Sequence, residues 1–210
     1  MKRIRIHYAK TEGLRYTSNL DMQKVWERAL RRAGLPLYYS QGFHPQPRIQ
    51  QACPLPLGLL SRCEIVDVWL EDDTCTLEST LKALQPALPT GIELLKLEEI
   101  DPAAPALQKL AGSADYDITL LDPFPVDELE RRTAALLSAE TLIRERRGKN
   151  YDLRPLVEDL AVVPGEPLRL SARLSVRDGA TGRPDELLAA LGLAPFGARI
   201  VRVRLILAEA

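Results

Sequence analysis

Two groups of residues in this 210-residue chain have the side-chain types and spacing for chemistry. The first is Gly42-Phe43-His44-Pro45-Gln46-Pro47-Arg48, where two prolines, a histidine and an arginine fall within seven positions. Each proline fixes its own φ and pushes the residue before it out of the α region. The loop is therefore stiff, and it presents His44, Gln46 and Arg48 to a partner at low entropic cost. The second group is Arg144, Arg146, Arg147 and Lys149 around Gly148, with Tyr151 and Arg154 beyond. Cations interleaved with a glycine and an aromatic suit an RNA backbone with one stacked base.

Acid–base chemistry would have to come from the only two histidines, His7 and His44. Such a pair cleaves RNA by activating a 2′-hydroxyl and protonating the leaving oxygen. Lone histidines are more often structural, so no residue is assigned as catalytic and His44 is kept only as a candidate. Glu64 with Asp67, or Asp72 with Asp73, could hold Mg²⁺, but carboxylates scattered through an acidic segment are usually surface. Cys53, Cys63 and Cys75 lack any CxxC or Cys/His ligand spacing. The sequence has no Walker A loop, GxGxxG, GxSxG or HExxH, and no CxxxCxxC to hold a radical-SAM cluster. We therefore assign no metal and no cofactor to the chain itself.

The formal net charge of −1 hides a segregation. Residues 1–62 carry 11 Lys and Arg against 3 Asp and Glu, a net of +8. Residues 63–143 are at −12 and residues 144–210 at +3. Basic ends suit a polyanion unless the acidic middle neutralises them. With 46% hydrophobic residues there is material for a core, and no apolar run reaches the length of a membrane span. The expected location is the cytoplasm.

These side chains need a scaffold, and the periodicities supply one. Lys2 to Ala9 alternates, with Arg3 and Arg5 on one face and Ile4 and Ile6 on the other, which predicts a strand. Ser18 and Asp21 stand at capping-box spacing before a helix whose stripe is Met22, Val25, Trp26, Ala29, Leu30 and Ala33. Its other flank carries Lys24, Arg28, Arg31 and Arg32. Short strands are expected at 37–39 and 65–70, a helix at 76–88 and a strand at 92–97. Pro102–Pro105 and Ala111-Gly112-Ser113 bracket a boundary. Beyond it we expect a strand at 116–121, a helix at 126–139, a strand at 168–176, a helix at 184–191 and a strand at 198–207. The first half then reads β-α-β-β-α-β, and the second suggests the same order with one middle strand unassigned. The predicted fold is α+β, two ferredoxin-like (βαββαβ) units packed together, spanning 1–101 and 113–210.

Four phrases carry a resemblance. They are Leu14–Asp21, Glu27–Pro36, Ser40–Ile49, and Leu55-Pro56-Leu57-Gly58 with Ser61 and Glu64. Together they resemble the radical-SAM-linked family, a bacterial domain of unknown function found alone or fused behind radical-SAM proteins with a B12-binding-type domain. Arg146–Lys149 with Tyr151–Pro155 is similar to that family's second hallmark, while Gln50–Cys53 departs from its more apolar pattern. The resemblance implies a radical SAM protein as partner and an RNA-processing setting, without an established activity.

The leading reading is an RNA-binding accessory module for tRNA or rRNA. Arg28, Arg31, Arg32, Phe43, His44 and Arg48 would line one side of a groove, and Arg146, Arg147, Lys149, Tyr151 and Arg154 the other. The alternatives are an RNA-cleaving or RNA-modifying enzyme using His44, and a protein–protein adaptor for a radical SAM partner.

Overall fold

A computed structural model describes residues 1–53, 55–71, 74–146 and 148–208. Asp72, Asp73 and Arg147 of the sequence reading lie outside the described residues. The protein is mixed α+β, and its sheets are antiparallel throughout the described pairings. It divides into two compact units, Met1–Leu110 with Ala208, and Ala111–Leu207.

The first unit runs β1 (Lys2–Lys10), α1 (Asn19–Arg32), β2 (Ile49–Gln51), β3 (Leu60–Leu70), α2 (Leu77–Leu84), β4 (Ile92–Ile100) and the single turn α3 (Leu107–Leu110). Its strand order is β2-β3-β1-β4. Register sets Ile4 opposite Val68 and Ile6 opposite Val66, so the even residues of β1 join one apolar face. That face packs on Met22, Trp26, Ala29 and Leu30 of α1, with Leu84 of α2 in the same core. Tyr8 meets Trp26 edge-on at 4.8 Å between centroids.

Both helices begin on built caps. Ser18 Oγ accepts from the Asp21 N–H at 3.2 Å and donates to the Asp21 carboxylate at 2.6 Å. Thr76 and Ser79 form a reciprocal capping box. Pro86 follows α2, and residues 85–87 tighten into a 3₁₀ turn. The expected strand at 37–39 is reduced to two isolated bridges, Leu37 to Leu70 and Tyr39 to Pro47. The pairing strand lies later, at β2, where Gln50 and Gln51 replace the apolar residues that the sequence pattern favours.

The second unit runs β5 (Ala111–Leu120), α4 (Val126–Ser138), β6 (Ile143–Arg146), β7 (Lys149–Asp152), β8 (Val157–Val163), β9 (Arg169–Arg177), β10 (Ala180–Thr181), α5 (Pro184–Ala190) and β11 (Ala198–Leu207). β5 is central, between β9 and β11, while β8 and β10 both pair with β9. β6 and β7 form a separate hairpin. Ala111-Gly112-Ser113, expected as a boundary, is the start of β5. Small residues have weak strand preference, but pairing on both sides overrides it. The cations of β9 are matched across the sheet: Arg173 with Asp115 at 2.7 Å, Arg169 with Asp117 at 3.5 Å, and Arg177 with Glu158 at 3.4 Å.

Candidate nucleic-acid interface

The proline loop closes on itself. Ser40 N–H donates to the Gln46 carbonyl at 2.8 Å, and Gln46 N–H donates back to Ser40 Oγ at 3.0 Å. This ties the stem and leaves residues 41–45 as an exposed tip. Phe43 at that tip is fully exposed. His44 is exposed too, and makes no hydrogen bond or ion pair among the described residues. His7 is elsewhere employed: its Nε2 meets Glu98 Oε1 at 2.8 Å across β1 and β4. The contacts therefore do not couple the two histidines into an acid–base pair.

Arg48 is pinned by its backbone. Its N–H donates to the Tyr38 carbonyl at 2.8 Å and its carbonyl accepts from the Trp69 N–H at 3.2 Å. Its guanidinium lies over the Trp69 indole, 4.2 Å from the centroid. Arg3 stands over the same ring at 4.7 Å. Beside it, one carboxylate serves two guanidinium groups. Asp67 Oδ2 accepts from Arg3 Nε at 2.9 Å and Nη2 at 2.6 Å, and from Arg5 Nη2 at 3.0 Å; Oδ1 accepts from Arg5 Nε at 2.8 Å. Arg3 is 1% exposed and Asp67 0%. The hydrogen bonds that Arg5 donates to Asp67, outweighing burial, hold the Arg5 guanidinium's pKa above its ordinary value.

Alternation alone predicts a half-buried β1 with Arg3 and Arg5 on its polar side. In the structure that side is buried at both arginines, and Asp67, already discounted as a Mg²⁺ ligand, is spent on them. The signal was available, since a single Asp inside the apolar run Ile65–Leu70 demands buried cations. Among the described residues no group of three potential ligands could hold a metal ion.

On α1, Arg28, Arg31 and Arg32 are all exposed. Arg31 pairs with Glu27 at 2.9 Å one turn back and stands 5.8 Å from the Tyr39 ring centroid. Arg32 donates to the Ala87 carbonyl at 3.3 Å. Arg28 makes no ion pair among the described residues.

In the second unit, the hairpin pairs Arg146 with Lys149, and Gly148 at its turn has φ +73°, which glycine adopts without strain. Arg146 is half-buried and Lys149 exposed. Tyr151 is half-buried on β7; burial raises its phenol pKa, Glu186 adds to the rise, and Arg144 and Arg146 oppose it.

The base of the hairpin is a brace. Asp152 Oδ1 accepts from the N–H groups of Leu142 at 2.7 Å and Arg154 at 3.0 Å. Arg154 turns inward, donating through Nε and Nη2 to the Leu137 carbonyl and through Nη1 to the Val157 carbonyl, at 2.9 to 3.2 Å. Leu137 is in the last turn of α4, so Arg154 satisfies an orphan helix carbonyl. Its fork is committed to the fold rather than presented to solvent.

The scaffold thus defines a mixed α+β protein with antiparallel sheets and exposed cations on each unit. By sequence, the chain belongs to the family described as uncharacterized protein conserved in bacteria (DUF2344), matched over residues 3–184. No curated protein sequence matches it. In fold it is similar to a chain of a Cbf5-Nop10-Gar1 complex, with TM-score 0.51 and 13% identity over 96% of this chain and 48% of that one. A chain of an archaeal box H/ACA sRNP Nop10-Cbf5 complex matches at TM-score 0.43, 13% identity, over 94% and 47%. The chain spans about half the length of these two solved chains.

Proposed function

We propose that the chain is an RNA-binding accessory module for tRNA or rRNA, working in the cytoplasm with a radical SAM RNA-modification enzyme. Its two units are read as ferredoxin-like, with a boundary within residues 101–113. The antiparallel order β2-β3-β1-β4 supports that arrangement in the first unit, as does β5 between β9 and β11 in the second.

One observation carries the RNA reading. The acidic middle does not cancel the candidate cations: Arg28, Arg48, Arg146 and Lys149 have no carboxylate partner among the described residues, whereas the cations of β1 and β9 are paired. Charges left without an ion pair on helix, loop and hairpin positions that are exposed or, at Arg146, half-buried are available to phosphates. The radical SAM partner rests on the resemblance of residues 14–64 to the radical-SAM-linked family.

The test is a salt series on the whole chain with tRNA and an rRNA fragment. Four cations each covering one phosphate predict a slope of about −3 in log affinity against log salt, or roughly fifty-fold weaker binding between about 50 and 200 mM. Absence of binding at low salt by the folded chain overturns the RNA reading. Failure to co-purify with a radical SAM protein from cells overturns the partner.

A further inference from the structure

We infer that a cleft of about 330 Å³ beside Arg48 and Trp69 in the first unit is a binding site for a single phosphorylated nucleotide. The inference rests on the RNA reading and narrows it: exposed cations follow the backbone, and this cleft takes one unstacked nucleotide. Arg3, Gln46, Arg48, Gln50, Trp69 and Gln108 contribute to its lining. They come from β1, the proline loop, β2, β3 and the turn α3, so the cleft forms only when the unit is folded.

Three features set the ligand's chemistry. The first is charge. No carboxylate lines the cleft among the described residues, Arg48 has no ion pair there, and Arg3 and Arg5 share the single carboxylate of Asp67. The local balance is positive, which selects an anion. The second is an unmet donor. Trp69 is 3% exposed, and its indole N–H has no acceptor among the described residues. Buried donors are almost always satisfied; this one is closed to solvent, so a ligand oxygen reaches it only when the guanidinium groups stacked on the ring shift aside. The third is the set of side-chain amides. Gln46 and Gln108 each offer a donor and an acceptor, while Gln50 has committed Oε1 to the Leu107 N–H at 3.0 Å and retains its NH₂. Paired donors and acceptors match the edge of a nucleobase, which a simple anion does not need.

Size selects within that class. The volume lies at the lower end for small-molecule sites, enough for one nucleotide and too small for two stacked ones. Arg48 is the phosphate ligand, because a guanidinium held against an aromatic ring keeps its fork pre-organised.

The experiment is calorimetric titration of the whole chain with each 5′-mononucleotide, ribose 5-phosphate and inorganic phosphate, alongside RNA binding by the same variants. At least one mononucleotide is expected to saturate a single site about tenfold or more tightly than inorganic phosphate. Arg48→Ala should weaken it by about tenfold or more. Trp69→Phe keeps a ring beneath both guanidinium groups and deletes only the N–H; about threefold weaker binding is expected. Gln108→Ala, at an exposed position, should alter the preference among bases without changing phosphate binding.

No saturation by about 10 mM for any nucleotide overturns the site, as does inorganic phosphate binding equally well. RNA binding that survives without mononucleotide binding removes the cleft and leaves the RNA reading. Mononucleotide binding without RNA binding does the reverse, and leaves a site for free nucleotides.

Discussion

Arg3 places two of its donors, Nε and Nη2, on the same oxygen of Asp67, at 2.9 and 2.6 Å. The pair is out of water at both ends. A buried carboxylate that neutralises two guanidinium groups cannot be removed cheaply. Asp67→Asn keeps the volume and one acceptor oxygen but leaves two buried cations without a counter-charge. We expect a loss of about 3 kcal/mol or more, seen as a lowered thermal midpoint. A midpoint within a degree or two of wild type, for a domain of this size, would mean that the two guanidinium groups find water instead.

Arg154 predicts the opposite of a contact residue. Arg154→Ala strips three donors from the carbonyls of Leu137 and Val157. A cost of about 1–3 kcal/mol is expected, with Arg154→Lys recovering only part of it. RNA affinity of the folded fraction should hardly change. A variant that keeps its stability and loses RNA would return Arg154 to the interface.

The hairpin gives the complementary result. Arg146→Glu with Lys149→Glu reverses two cations that brace nothing among the described residues. RNA affinity should fall well over tenfold while the melting temperature hardly moves, since surface charges without an ion pair contribute little to stability. Filter binding and thermal melts on one preparation separate the two effects. A large drop in melting temperature would show that these cations hold the fold.

Glu98 ties stability to pH. Burial raises its pKa, but hydrogen bonds from Lys96 and His7 and their charges outweigh that and hold it below its ordinary 4.5. A carboxylate depressed in the folded state contributes stability above its unfolded pKa and loses it as pH falls through the folded one. The stability advantage of the wild type over Glu98→Gln should therefore be full above about pH 5 and shrink steadily below about pH 4.5. Urea midpoints at several acid pH values measure it. A constant difference across that range would sink the assignment.

What the sequence disclosed and what it withheld follow one physical line. β1, α1 and β11 were legible because each buries one face at a period local residues reveal. β8 was missed because Val157-Glu158-Asp159-Leu160 buries only its first and last residues, and the two carboxylates between them resemble a loop. The start of β5 was missed for its small residues.

At the candidate site, the proline loop and the cations of α1 and the hairpin stood out by composition. Trp69 did not, because an aromatic in an apolar strand reads as core. Its partnership with Arg48 joins a loop to a strand 21 positions later. No local pattern reports a contact made by sheet register. Likewise, Arg154 looked like a ligand for phosphate until the carbonyls it serves were in view.

The position of β1 in its sheet has a consequence for how the molecule is made. Within the first unit β1 is an inner strand made before both of its neighbours, β3 at residues 60–70 and β4 at residues 92–100. A nascent chain leaving the ribosome thus carries Lys2–Lys10 with both edges open until β3 emerges, and one edge open until β4 does. Arg3 waits longer still, since two of its acceptors are the carbonyls of Ala104 and Pro105. Four cations among its nine residues, at Lys2, Arg3, Arg5 and Lys10, keep that unpaired strand from sticking to copies of itself during the delay.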